Sequence, residues 1–192
     1  MHRRHLLRTG LASLATVALA GPARLVLAQS CPAPTEPNIE GPFYRPGAPH
    51  RSRLVEGLAE AGLVVSGRVT DASCRPLAGT VLEVWQADEH GEYDLAGDRF
   101  RGVLRADEQG FFQLETLVPG RYLNGGTYRP AHLHVKVHAN GRPTLTTQLY
   151  FPGDPENDRD PWFRSSLLLS PGPSPCCYVP HAPQRMSFQF VL

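Results

Sequence analysis

Short apolar, β-branched segments recur at close intervals along this chain, with turn-forming residues between them. No segment beyond the N-terminal region repeats apolar residues with a helical period over three turns. The 18 Gly and 19 Pro fit many short strands joined by turns. The sequence therefore predicts an all-β fold, an antiparallel β-sandwich with few short helices. The predicted strands are residues 63–70, 80–86, 99–105, 111–117, 132–138, 145–151 and 185–192.

In the segment 132–138, HLHVKVH, polar and apolar residues alternate more regularly than elsewhere in the chain. Successive side chains of a strand point to opposite faces, so the polar and the apolar residues would lie on different faces. One face would carry Leu133, Val135 and Val137, and the other His132, His134, Lys136 and His138. The two nearest histidines could then bind one ion, although a solvated polar strand face is the simpler interpretation of the histidines alone.

The segment 107–110 has the composition of a tight turn. It stands between the predicted strands 99–105 and 111–117. We therefore expect these two strands to pair as a hairpin.

Residues 1–28 have the composition of a cleaved bacterial export signal. Arg3 and Arg4 precede an apolar segment, and Ala28 ends a small-residue cleavage site. The arginine pair favours the twin-arginine route over ordinary secretion. Helix breakers interrupt the apolar run, so we expect no membrane contact after cleavage. An extended arm, 29–62, and a sandwich domain, 63–192, would follow, in the periplasm or outside the cell.

The formal net charge is +1, with 19 basic and 18 acidic residues, so nothing suggests nucleic acid as a partner. Four cysteines, Cys31, Cys74, Cys176 and Cys177, allow three disulfide pairings. A bond between the neighbours Cys176 and Cys177 would be strained. We therefore expect Cys31 and Cys74 each to pair with one of the C-terminal cysteines. A metal site at Cys176, Cys177 and His181 is the alternative, but the spacing lacks a zinc pattern.

Tyr93 and Tyr122 could join His132 and His134 as ligands of one metal ion. Phenolate is a hard anionic oxygen donor that favours a highly charged metal, whereas imidazole suits several transition metals. Two of each donor indicate ferric iron. Each tyrosine by itself would more commonly be a structural aromatic with a hydrogen-bonded hydroxyl.

A series of motifs gives this donor set a context. From 40 to 159 the chain resembles the intradiol ring-cleavage dioxygenases, with the motifs in family order. They are EGPFY at 40–44, VWQAD at 84–88, GEY at 91–93, DEQGF at 107–111, PGRY at 119–122, RPAHLH at 129–134, TQLYF at 147–151 and GDP at 153–155.

The resemblance implies a β-sandwich that holds one non-haem Fe(III) per chain. Its ligands would be Tyr93, Tyr122, His132 and His134, with water or hydroxide completing the sphere. Tyr122 would be the tyrosinate that dissociates when substrate binds. Arg129 and Gln148 would be active-site residues, with Arg129 stabilising negative charge on the substrate. Gly41 and Pro42 would border the substrate, and we place Tyr44 with them as pocket lining.

The activity implied is cleavage of a catecholic ring between its hydroxyls with O2, giving a cis,cis-muconate-type product. We expect a homo-oligomer. Residues 123–128, LNGGTY, are short and Gly-rich where protocatechuate-type members carry a bulky aromatic. The ring substituent of the substrate therefore stays open among simple catechol, protocatechuate, hydroxyquinol and other phenols.

Two other functions fit parts of the sequence. The strings at 67–71, 76–79 and 112–114 suit a non-catalytic, transthyretin-like binding module equally well. Such a module has no need for two tyrosines and two histidines at one point. A cupin-like or zinc hydrolase site is disfavoured, because no carboxylate or third histidine has matching spacing.

Overall fold

Two four-stranded sheets form the body of the fold. The computed structural model of the chain describes residues 31–55, 62–172 and 184–192. The sheet orders are β4-β1-β10-β9 and β3-β2-β7-β8, and β5 and β6 form a separate two-stranded ribbon. The predicted all-β sandwich is confirmed. The elements are β1 (Leu63–Thr70), β2 (Val81–Trp85), β3 (Arg101–Arg105), β4 (Phe111–Thr116), β5 (Tyr122–Asn124), β6 (Thr127–Arg129), β7 (His132–His138), β8 (Leu145–Tyr150), β9 (Ser170–Pro171) and β10 (Gln184–Val191), with short 3-10 helices at Asn157–Arg159 and Ser165–Leu167.

The expected hairpin between β3 and β4 is wrong. β3 pairs with β2 in one sheet, whereas β4 pairs with β1 in the other. The Asp107 carboxylate accepts hydrogen bonds from the backbone N–H groups of Gln109 and Phe111, and these bonds fix a tight turn. Leu104 and Leu114 both lie in the core cluster. The turn therefore carries the chain across the core, because the apolar faces of the two strands meet there instead of lying side by side.

One strand pair departs from the antiparallel expectation. β1 and β10 pair in parallel over their full length, from Leu63 opposite Gln184 to Thr70 opposite Val191. The first and last strands of the sandwich are thus neighbours in the middle of one sheet. Every other strand pair described is antiparallel.

β7 separates the apolar core from a second buried region. Leu133, Val135 and Val137 face the core between the sheets. On its other face His132 and His134 are only 2% and 0% exposed. A solvated surface is therefore the wrong interpretation of this pair.

The N-terminal arm, residues 31–55, covers this second face of the sheet. Asn38 N–H donates to the Thr146 carbonyl at 2.8 Å, and the Gln148 amide donates to the Ile39 carbonyl at 2.9 Å. The Thr147 hydroxyl, on the opposite face of β8 with Val135, donates to the Glu36 carbonyl at 2.8 Å, so the arm also follows the edge of this strand. The arm thereby turns the polar face of β7 and β8 into an interior.

The arm begins with a disulfide between Cys31 and Cys74, whose Cα atoms are 5.5 Å apart. The expectation that each would bond to a C-terminal cysteine is wrong. The arm runs beside the end of β10, where Thr35 N–H donates to the Val191 carbonyl at 2.9 Å. That path places Cys31 next to the turn that follows β1, within reach of Cys74.

Several predictions concern other parts of the chain. The export signal, with Arg3 and Arg4, lies outside the described residues, as do Cys176, Cys177 and His181. Within the described ranges, no helix has both the length and the apolar character needed to cross a membrane.

Candidate metal centre and active site

The four predicted ligands lie together on the covered face of β7. His132 Nε2 is 3.1 Å from His134 Nε2, which is 3.1 Å from the Tyr93 hydroxyl. The Tyr122 ring centroid is 5.8 Å from that of His132 and 5.6 Å from that of Tyr93. Two donor atoms bound at about 2.1 Å to one ion, at roughly right angles, are about 3 Å apart. The donor separations therefore fit a shared ion.

Two glycines bring the tyrosines to this place. Gly91 and Gly120 each precede a tyrosine by two residues, and their loops touch backbone to backbone. A Cβ on Gly91 would lie 2.3 Å from the Arg121 carbonyl oxygen, and one on Gly120 would lie 2.5 Å from that of Glu89. No larger residue fits either position without moving a loop. This close approach places Tyr93 and Tyr122 side by side.

The imidazoles are held in fixed orientations. His132 Nδ1 donates to the Pro130 carbonyl at 2.7 Å, so its Nε2 carries the free lone pair. The His134 ring stacks on Trp85 with centroids 4.8 Å apart and planes at 8°. His134 Nδ1 is buried and has no partner among the described residues. Hydrogen bonding fixes the first ring, and stacking fixes the second.

Burial sets the protonation of these donors. It lowers the pKa of His132 to about 4, and the pKa of His134 also falls well below its ordinary value because of burial and the neighbouring His132. Burial raises the pKa of the Tyr93 phenol, with Tyr122 adding to the effect. At neutral pH both imidazoles are uncharged and able to ligate. A bound cation would supply the charge that releases the phenol proton, so these donors fit a ferric ion.

Aromatic residues of the arm enclose the centre. Phe43 stacks on Tyr93 at 4.1 Å and meets Tyr122 edge-on at 5.5 Å. Tyr44 packs on Trp85 at 4.9 Å and donates its hydroxyl to Glu83 at 3.0 Å. Tyr44 therefore anchors the arm through Trp85, which itself stacks on His134. Phe43 is the arm residue whose ring contacts both Tyr93 and Tyr122. Pro42 is exposed beside them.

Gly41 lies directly against His134. Its φ is +73°, and a Cβ there would be 3.2 Å from His134 Cε1. Gly47, with φ +80°, has nothing within 4 Å of such a Cβ. We expect Gly41→Ala and Gly47→Ala each to lose about 1–2 kcal/mol of unfolding free energy, because both force alanine into the left-handed region.

Only Gly41→Ala should also weaken iron binding, because only it presses on the candidate ligand. Chemical denaturation and an iron titration of both variants would check this. Equal iron affinity in the two would show that Gly41 does not support His134.

A buried polar network adjoins the donors. The Arg129 Nη2 donates to Gln148 Oε1 at 2.8 Å and to Asp160 Oδ2 at 2.6 Å. The Tyr150 hydroxyl also donates to Gln148 Oε1, at 2.7 Å. The predicted pair Arg129 and Gln148 is thus brought together beside the centre.

Sequence reasoning missed several members of this site. It gave no active-site role to Tyr150, Asp160, Phe43 or Trp85. Asp160 lies in a loop whose charged composition suggests a surface, so no local pattern marks it. Phe43 and Trp85 stand inside motifs that were already recognised, beside residues that were singled out, and that proximity was the available signal.

Within the described residues, no three His, Cys, Asp or Glu side chains are grouped so as to hold a metal ion. The mixed phenol and imidazole set is the candidate centre because its donors converge on the covered face of β7.

A family model described as "Dioxygenase" matches residues 39–192. The chain belongs to the intradiol ring-cleavage dioxygenase family.

Curated relatives support this family membership. The 6-chlorohydroxyquinol 1,2-dioxygenase of Cupriavidus pinatubonensis is 37% identical over 158 residues, which cover 70% of this chain and 57% of that protein. The chlorocatechol 1,2-dioxygenase of Pseudomonas sp. strain P51 is 32% identical over 148 residues, covering 66% and 59% respectively. This family member thus spans less than two thirds of the length of these relatives.

Solved structures of other members share the fold. The dioxygenase domain of a dioxygenase carbohydrate-binding protein fusion from Streptomyces sp. SirexAA-E is 42% identical with a TM-score of 0.73, covering 83% of this chain and 98% of that one. The 3-chlorocatechol 1,2-dioxygenase of Rhodococcus opacus 1CP is 33% identical with a TM-score of 0.72, covering 82% and 72% respectively. The dioxygenase fold therefore extends over most of this chain.

Proposed function

We propose that this chain is a non-haem Fe(III) intradiol dioxygenase that cleaves a catecholic ring between its two hydroxyls with O2, giving a cis,cis-muconate-type diacid. The observation that carries the proposal is the convergence of Tyr93, Tyr122, His132 and His134. Relatives named for catechol, chlorocatechol and hydroxyquinol substrates support a catechol with small ring substituents as the substrate class.

Tyr93, Tyr122, His132 and His134 would hold the iron. When bound, ferric iron would supply the redox activation of a chelated catecholate towards dioxygen. The Tyr122 phenolate, as the ligand that would leave, and the hydroxide that completes the sphere would take up the protons that a catechol loses on binding, while Tyr93 would stay a ligand. The two imidazoles stay neutral and anchored on β7.

The surrounding residues would bind and orient the substrate. The Arg129 cation lies where it can stabilise negative charge on substrate oxygen, in a site where low polarity strengthens the interaction. Phe43 and Trp85 enclose the donors and limit access of water. Gln148 fixes one side of Arg129 by accepting from its Nη2.

Iron loading and oxygen uptake test this proposal. We expect Fe(III)-loaded protein to show a visible tyrosinate-to-iron charge-transfer band and a wine-red colour. It should consume O2 with catechol, 3-chlorocatechol, 4-chlorocatechol, hydroxyquinol or protocatechuate, and mass spectrometry should find a muconate-type acid with both oxygen atoms added. A colourless preparation that takes up neither iron nor O2 would favour the non-catalytic binding module.

We also propose that residues 1–28 direct export by the twin-arginine route and that the mature chain acts as a homo-oligomer in the periplasm or outside the cell. The Cys31–Cys74 disulfide supports this location, since disulfides persist in oxidising compartments. Cell fractionation of wild type and of an Arg3→Lys, Arg4→Lys variant would test the route. Sedimentation of the mature chain would test the assembly.

A further inference from the structure

Arg129 and Asp160 form an ion pair enclosed by the fold, with side chains 3% and 1% exposed. Both the Nε and the Nη2 of Arg129 donate to the same oxygen, Asp160 Oδ2, at 3.2 and 2.6 Å. The other carboxylate oxygen accepts from Trp162 N–H at 3.3 Å. Asp160 thus fixes the guanidinium and also the loop that brings Trp162 against it.

One guanidinium nitrogen of Arg129 has no hydrogen-bond partner in the described part of the chain. Arg129 Nη1 is buried and makes no hydrogen bond with any described residue. An unsatisfied buried donor is costly, and more so on a charged group. The nitrogen is therefore available to a group that enters the site.

The guanidinium lies next to the candidate ligands. Its central carbon is 4.7 Å from the Trp162 ring centroid and 5.9 Å from that of Tyr122. Arg129 also faces Tyr122 across the β5–β6 ribbon. A substrate oxygen beside Tyr122 would therefore be close to the Arg129 guanidinium.

We propose that Asp160 is a positioning residue for the dioxygenase reaction, holding Arg129 by its Nε and Nη2 so that Nη1 stays free to donate to an anionic oxygen of the substrate. This inference rests on the proposed function. Gln148 and the Tyr150 hydroxyl accept only from Nη2, at 2.8 and 3.2 Å. These two contacts alone would let the guanidinium plane rotate about Nη2. Asp160 is the acceptor that holds two nitrogens at once and sets the plane of the group.

A double-mutant cycle tests the coupling, with Asp160→Asn, Arg129→Gln and the two combined. Asp160→Asn keeps the size of the side chain but removes its charge. We expect it to lower kcat about 10- to 100-fold, the range for a residue that orients an active-site group, with a smaller change in KM. Because Asp160 acts through Arg129, adding Asp160→Asn to Arg129→Gln should cause no further loss. Losses that multiply would overturn the proposal.

Glu115→Gln is the matched control. Glu115 Oε2 accepts from the Nε and Nη2 of Arg53 at 2.9 and 2.6 Å, the same hydrogen-bond pattern on the other sheet, in a pair whose side chains are 34% and 30% exposed. We expect Glu115→Gln to keep wild-type kcat. A loss of kcat as large as that of Asp160→Asn would show that breaking any arginine–carboxylate pair of this kind lowers activity, and that the effect is not specific to Arg129.

A second variant covers the case in which Asp160→Asn does not fold. Arg129→Lys keeps Asp160 and the cation but has a single nitrogen, which cannot be held at two points and also donate to substrate. We expect it to lower kcat about 10- to 100-fold, the loss expected when the guanidinium is no longer held in place. Wild-type kcat in Arg129→Lys would overturn the proposal.

A measurement on iron-free protein separates this inference from the proposed function. In nuclear magnetic resonance spectra the Arg129 Nε–H should exchange slowly with solvent in wild type and Glu115→Gln, and rapidly in Asp160→Asn. Unchanged exchange in Asp160→Asn would overturn the positioning role. Absence of turnover with every catechol would instead refute the proposed function, and this comparison would still decide whether Asp160 fixes the guanidinium.

Discussion

Tyr122→Phe is expected to shift or bleach the visible colour of the iron-loaded protein and to lower kcat by at least about a hundred-fold, because loss of residues that only support ligands already costs 10- to 100-fold. The change removes the hydroxyl that we assign as a ligand. The ring can keep its contacts with Phe43, Tyr93 and His132, so the fold should survive. Absorption spectroscopy and oxygen uptake at equal iron content would measure both effects.

Tyr128→Phe is the matched control for this prediction. Tyr128 lies in the same β5–β6 ribbon, opposite Leu123, and is 53% exposed. It loses the same hydroxyl without approaching the centre, so colour and kcat should remain those of wild type. If Tyr122→Phe also kept the wild-type colour and kcat, Tyr122 would leave the ligand set.

The double variant Cys31→Ser, Cys74→Ser should lose about 4 kcal/mol of unfolding free energy, from the chain entropy of the loop that the bond closes. The two cysteines are 43 residues apart in sequence. For a chain of this size that loss lowers Tm by roughly 8–16 °C. Differential scanning calorimetry in buffer without reductant would measure it.

Reductant provides the control for the disulfide prediction. Under reducing conditions the wild-type Tm should fall to that of the variant, because the loop is then open in both. Peptide mapping of oxidised wild type should find Cys31 linked to Cys74. Equal Tm values without reductant, or a Cys31 peptide linked to Cys176 or Cys177, would contradict the pairing.

Strands whose pattern is local were predictable from the sequence. β1 and β7 begin and end at the predicted residues, since an apolar run or a strict alternation marks each of them. The short β5 and β6 were not predicted, because three residues on either side of Gly125 and Gly126 give no periodicity. The pairing of strands was harder to predict than their positions, because a turn such as the one at Asp107 can join two strands of a hairpin or carry the chain from one sheet to the other.

The residues of the candidate site also differed in how far a local sequence pattern could reveal them. Spacing alone placed His132 and His134 on one face, donor chemistry suggested Tyr93 and Tyr122 as further ligands, and the family motifs supported the whole set. Asp160 was missed because it meets Arg129 only through the fold, across 31 residues of chain. The Cys31–Cys74 bond was missed for a similar reason, since the path of the arm depends on its hydrogen bonds to β8 and β10.

The two-sided burial of β7 has an evolutionary consequence. Its odd-numbered positions, 133, 135 and 137, pack in the apolar core, whereas 132 and 134 face the candidate metal centre on the other side. Substitutions on the core side of the strand can therefore change thermal robustness with little effect on the candidate metal centre on the other side. Stability and the properties of that centre can thus change through largely independent substitutions.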